Sequence, residues 1–137
     1  MPKALLLDTG AWVALLDRSE DRHDDCVGVL EGWTGPIVTT EAVLTETQHL
    51  VGPGAAPRRA CLEFVLRGAI ALVPASLASL RRAQRLMDTY ADVPMDFADA
   101  SLVTLAEDLD TNRVFTLDRR GFSAYRMRGR RAFRIAP

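Results

Sequence analysis

Ala4-Leu5-Leu6-Leu7-Asp8-Thr9 is the stretch from which the rest of the chain can be read. Four apolar residues in a row, without alternation, are the pattern of a strand covered on both faces, as in a parallel sheet. The run ends on an acid. Working outward, the same arrangement recurs at 114–117, where Val114-Phe115-Thr116-Leu117 leads into Asp118. Short apolar runs at 37–39, 69–73 and 132–135 supply the other strands. Apolar periodicity predicts helices over 11–16, 23–33, 41–51, 58–66, 76–90 and 96–108. Gly35-Pro36, Gly52-Pro53-Gly54 and Pro94 punctuate them. On 41–51 the inward side is Val43, Leu44, Thr47 and Leu50. On 76–90 it is Leu77, Leu80, Ala83, Leu86 and Met87. Strands alternating with helices imply βα units, right-handed crossovers and an α/β fold around a parallel sheet.

The chain has 137 residues, 48% of them hydrophobic and 26% charged. That suits one soluble domain, 1–137, able to bury a core without staples. Cys26 and Cys61 are isolated and read as reduced thiols of a cytoplasmic protein. Only three residues precede the first strand, so no signal peptide is expected. No apolar run reaches the ~20 residues of a membrane span. The net charge of −1 conceals an asymmetry: residues 1–112 carry 17 acids against 9 bases, and 113–137 carry 8 arginines against Asp118 alone. Lys3 is the only lysine. An acidic body with an arginine-rich end suggests polyanion contact at one edge, with a merely solvated basic edge as the alternative.

Ligands of open parallel sheets bind outside the carboxyl ends of the strands, where Asp8 and Asp118 fall. Glu46 and Asp99, on two of the predicted helices, are candidates to join them. Carboxylates gathered in one pocket repel one another and call for a cation. Mg²⁺ or Mn²⁺ held by oxygen ligands commonly acts on phosphate esters. Each acid also has a purely structural reading. Asp8 or Thr9 can cap the first helix. Glu41 and Glu46 compete for one position; they lie roughly 140° apart around a helix, and Glu41 is accounted for by the helix dipole. Asp96 is placed to cap its helix, with Asp99 as the return arm of a capping box. Asp99 nevertheless borders the apolar stripe Ala100, Val103 and Ala106. A turn explains Asp118 and Gly121, but not Arg119 and Arg120, which can hold phosphates beside a metal site. Zinc-finger spacing, glycine-rich phosphate loops and Ser-His-Asp or Cys-His motifs are missing from the sequence.

Four segments together carry a family resemblance: 5–12 (Leu-Leu-Leu-Asp-Thr-Gly-Ala-Trp), 39–46 (Thr-Thr-Glu-Ala-Val-Leu-Thr-Glu), 94–103 (Pro-Met-Asp-Phe-Ala-Asp-Ala-Ser-Leu-Val) and 114–122 (Val-Phe-Thr-Leu-Asp-Arg-Arg-Gly-Phe). In order and spacing they resemble a PIN domain, and within that family the VapC-like toxins of bacterial type II toxin–antitoxin pairs. The resemblance implies a PIN-like three-layer α/β/α fold with a central parallel sheet of four to five strands. It implies a Mg²⁺- or Mn²⁺-dependent endoribonuclease, forming a homodimer and inhibited by a small VapB-like antitoxin. The family's acidic positions fall on Asp8, Glu46, Asp99 and Asp118, with Thr9 and Thr116 as supporting hydroxyls. Asp96 is an additional acid of the subgroup, and Gly10 replaces a serine often found there. Single-stranded regions of RNA are the implied target, since their bases can be splayed and reached.

Two rival readings have their own sequence tests. A phosphotransfer enzyme with a nucleophilic Asp8 would want a second acid two residues on, where Gly10 stands, and a receiver-type module a late lysine. A non-catalytic binding module for nucleic acid or a partner would gain nothing from clustered carboxylates.

Overall fold

The computed structural model describes residues 3–137. Its core is a five-stranded sheet, all parallel, in the order β3-β2-β1-β4-β7. The central strand is β1, Leu5–Leu7, whose three leucines are all buried. It pairs with β2 (Ile37–Thr40) on one side and β4 (Arg113–Phe115) on the other, so that Leu6 lies opposite both Val38 and Val114. β3 (Ala71–Val73) and β7 (Arg134–Ala136) are the edges.

Helices α1 (Thr9–Leu16), α2 (His23–Gly32), α3 (Glu41–Leu50) and α4 (Ala55–Leu66) pack as one group around α1, in which Ala11, Trp12 and Ala14 are buried. α5 (Leu77–Thr89) and α6 (Phe97–Leu109) pack on each other. α6 is buried almost all round, and Ala98, Ala100 and Ala106 give it the small surface needed for close approach. Strands flanked by helices give the α/β architecture that the alternating pattern predicts.

Several expectations are corrected. β4 ends at Phe115, leaving Thr116 and Leu117 beyond the strand; β3 begins at Ala71, and β7 begins two residues later and ends one residue later than its apolar letters suggest. α1 starts at Thr9 and α4 at Ala55. Leu50, Leu77 and Leu80 are exposed rather than inward. On α5 the apolar stripe runs past the cover that α6 gives, so Leu77 and Leu80 stand beside Phe97, also exposed, in an open depression. Residues 118–131, where periodicity predicts no element, are also ordered. They form the short helix α7 (Arg119–Ala124) and a hairpin of β5 (Arg126–Met127) and β6 (Arg131–Ala132). Arg128 and Gly129, both at positive φ, are the central residues of its turn, closed by the Arg130 N–H donating to the Met127 carbonyl at 3.0 Å. The turn lacks the Asn-Gly or Asp-Gly signature by which such hairpins are usually read.

Candidate active site

The end of β1 and the residues just past β4 build the floor of the site. Asp8 follows β1 directly and is 6% exposed. It occupies the N-cap position of α1, yet its side chain makes no capping bond there. Its Oδ2 instead accepts a 2.6 Å hydrogen bond from Thr116 Oγ1, and Thr116 Oγ1 accepts one from the Asp118 N–H at 2.9 Å. One threonine thus ties together the carboxyl ends of two neighbouring strands and fixes where both acids stand. Thr9, the other expected hydroxyl, has its Oγ1 buried without a partner, so it does not cap the helix.

Helix starts supply the next two acids. Asp96 caps α6: its Oδ1 accepts from the Asp99 N–H at 2.8 Å, and Asp99 Oδ2 receives the Asp96 N–H at 3.4 Å, closing a capping box. Asp118 caps α7, accepting from the Gly121 N–H at 3.0 Å. A Cβ on Gly121 would run into Asp118 Oδ2 and stand 3.0 Å from the Tyr125 hydroxyl. Only glycine at that position leaves room for the Asp118 carboxylate to fold back onto its helix.

Glu46, half-buried in mid-α3, is near enough that its charge acts on Asp8. Glu41, its competitor in the sequence, faces elsewhere: it lines a separate cavity of about 240 Å³ with Phe97, Ser101 and Thr104.

The electrostatics link the group. Burial pushes Asp8 up to about 6, and the charges of Asp118 and Glu46 add to that, against the lowering effect of the Thr116 bond. Burial pushes Asp99 up to about 7, with Asp96 and Asp8 adding to it. Among the described residues, none of these acids is in an ion pair. Two carboxyls that resist ionisation, with no basic side chain paired to them, fit a hard divalent ion by charge and donor type. The geometry is looser than the chemistry: among the described residues, no three Asp, Glu, His or Cys side chains form a ready ligand set.

Tyr125 is the residue that sequence reasoning missed. It is fully buried, and its hydroxyl donates to Asp99 Oδ2 at 3.0 Å. Burial and the Asp99 charge hold its phenol protonated, well above its ordinary range. Tyr90 and Phe122 pack edge-on against its ring at 5.2 and 5.1 Å. Its signal in the sequence is faint, a lone aromatic one turn past Gly121. Arg119 donates to the Pro137 carbonyl. Arg120 is exposed and has no bonding partner among the described residues.

Comparison with known proteins gives the family of the chain. The PIN domain family matches residues 5–127, and the chain belongs to that family. Ribonuclease VapC26 of Mycobacterium tuberculosis is 31% identical over 135 residues, covering 97% of this chain and 100% of its own. Two solved structures share the fold. One is the M. tuberculosis toxin VapC20, described as cleaving the sarcin-ricin loop, with a TM-score of 0.79, 17% identity, and 84% and 90% of the two chains covered. The other is VapBC2 from Rickettsia felis bound to a promoter DNA fragment, with a TM-score of 0.71, 14% identity, and 98% and 99% covered.

Proposed function

We propose that the protein is an endoribonuclease of the VapC kind, the toxin of a toxin–antitoxin pair, and that it cuts single-stranded RNA with Mg²⁺ or Mn²⁺ held by Asp8, Glu46, Asp99 and Asp118. The ribonuclease part rests on membership of the PIN domain family and on the likeness to VapC26. The observation that carries the site is the raised pair, Asp8 and Asp99, with acids and no base around them. A bound divalent ion would supply an acidified water as nucleophile and neutralise charge on the phosphoryl oxygens.

The chain's own residues do the rest. Thr116 holds Asp8, Tyr125 holds Asp99, and the α7 cap holds Asp118, so three carboxylates are positioned before substrate arrives. Asp99, oriented by the Tyr125 hydroxyl, is the carboxylate placed to take a proton from an attacking water. Asp96 serves chiefly as the cap of α6.

An antitoxin partner is part of the same reading, supported by the likeness to VapBC2. A basic side chain from such a partner, set among the acids, would compensate their charge and block substrate. Exposed Leu50, Leu62 and Leu66, and separately Leu77, Leu80 and Phe97, leave apolar surface for an antitoxin and for a second copy of the chain. Cleavage of a labelled single-stranded RNA tests the core of the proposal. Wild type should cut in Mn²⁺ and stop in EDTA, and Asp99→Asn should be inactive in both. Equal cutting in EDTA would overturn the metal-dependent reading.

A further inference from the structure

The arginine-rich end finds a specific place in the structure. The hairpin of β5 and β6 folds against α5 and α6, and together they line an open pocket of about 460 Å³. Its charged lining is Arg82, Arg85, Arg126 and Arg128 against a single acid, Glu107. Glu107 is committed: it takes a bidentate pair from Arg82 at 2.8 and 2.9 Å and the Arg128 N–H at 2.6 Å. Arg128 also pairs with the exposed Asp110 at 3.6 Å, a weak surface contact, so Arg85 and Arg126 have no acidic partner among the described residues and Arg128 only a loose one.

The three are not loose surface chains alike. Arg126 is pinned by its guanidinium, which donates to the Ser123 and Tyr125 carbonyls at 2.8 Å each. Arg128 donates to the Glu107 carbonyl at 3.0 Å. The Arg85 guanidinium has no bonding partner among the described residues and is the free member, its carbonyl alone accepting from Thr89 Oγ1. Arg128 also sits at φ 49°, in the left-handed region. That region favours Gly, Asn and Asp in a hairpin turn, and a long side chain there is uncommon. The fold holds an arginine where asparagine would suit the backbone better, which points to a use for the guanidinium. The pocket is also joined to the carboxylates. Tyr90 lines it, accepts the Arg126 N–H at 2.9 Å, and packs on Tyr125, whose hydroxyl reaches Asp99.

We propose that this pocket binds a backbone phosphate of the RNA, engaged by Arg85, Arg126 and Arg128, on the other side of the Tyr90–Tyr125 pair from Asp99. The inference rests on the ribonuclease reading and adds to it a second anchoring point away from the cleavage site. Guanidinium forks match phosphate oxygens in charge and geometry. A phosphate held there fixes the register of the strand without reading its bases.

Anisotropy of a fluorescent single-stranded RNA, in EDTA so that nothing is cut, tests it. The proteins are wild type, Arg85→Gln/Arg128→Asn, and Arg67→Gln as a control for a lost positive charge just past the end of α4. The double variant should bind about tenfold more weakly, with a salt slope lower by ~0.7 for each phosphate no longer engaged. Arg128→Asn alone should keep the wild-type melting temperature, because asparagine accepts this turn. Wild-type affinity and slope in the double variant overturn the proposal, as does an equal loss in Arg67→Gln. So does a lowered melting temperature for Arg128→Asn with RNA binding intact, which would make the arginine a part of the turn only. Cleavage by wild type in Mn²⁺, run alongside, separates the two claims: failure to cut, with the double variant still binding more weakly, removes the nuclease reading and leaves the pocket.

Discussion

Asp8 and Asp99 differ from Asp96 and Asp118 in what the fold asks of them. Asp96 and Asp118 are exposed and close the first turns of α6 and α7, a service worth about 1 kcal/mol each. Asp8 caps nothing, is buried, and is pushed up to about 6; Asp99, half-buried, is pushed up to about 7. The fold would be more stable without the charge on Asp8 and Asp99, and it uses the charge on the other two. Groups kept against the interest of stability are where function is to be sought.

The largest effect should come from Asp8→Asn. Cleavage in Mn²⁺ should fall more than tenfold, which is about 1.4 kcal/mol of barrier. The same change should stabilise the metal-free protein above neutrality. Asp8 and Asp99 have folded pKa values above the 3.8 of an unperturbed aspartate. As pH rises from about 4 to about 7, the unfolded chain therefore releases these protons before the folded one does, and the metal-free wild type loses stability across that window. Melts in EDTA should place Asp8→Asn above wild type at pH 8 and level with it at pH 4, a difference of some 3–5 °C for each 1 kcal/mol in a chain of this size. Coincident melts at both values would erase the contrast between the two kinds of acid.

Gly121→Ala probes the capping side without removing an acid. The new methyl displaces the Asp118 carboxylate, so stability should drop by about 1 kcal/mol and activity severalfold. Unchanged activity in the destabilised variant would mean that the position of Asp118 does not matter to the chemistry.

Tyr125→Phe sharpens the view of Asp99. The phenol's hydrogen bond lowers the Asp99 pKa, so its removal should move the acidic limb of the pH–rate profile to higher pH. A profile that does not move would separate Asp99 from the rate-determining ionisation. Smallest of all should be Asp96→Ser: serine caps as well as aspartate, so stability should hold within ~0.5 kcal/mol and most activity should remain. Loss equal to that of Asp8→Asn would put Asp96 among the groups that act on substrate or metal.

Much of the frame was legible because it rests on short-range pattern. A run of leucines ending in an acid marked the central strand, and a second such run placed Asp118 near Asp8. The capping box of Asp96 and Asp99 could be read from their spacing. What escaped depends on residues far apart in the chain. Nothing local tells that Tyr125 reaches Asp99 26 residues away, or that Leu77 and Leu80 outrun the helix meant to cover them. The hairpin around Arg128-Gly129 was hidden for a different reason, since its turn carries an arginine where the usual signal is an asparagine or aspartate.

The central place of β1 has a consequence in time. β1 is made first, but its neighbour β4 begins only at Arg113, and some 110 residues separate Asp8 from Asp118. At ~5–20 residues per second, roughly 5–20 s of synthesis pass between them. Throughout that interval Asp8 lacks the threonine that orients it and the strand that buries it. A growing chain carries Asp8 well before Asp118 and acquires the assembled cluster only after β4 has been made. The order of the strands thus acts as a delay, setting how late in its own synthesis the molecule can begin to work.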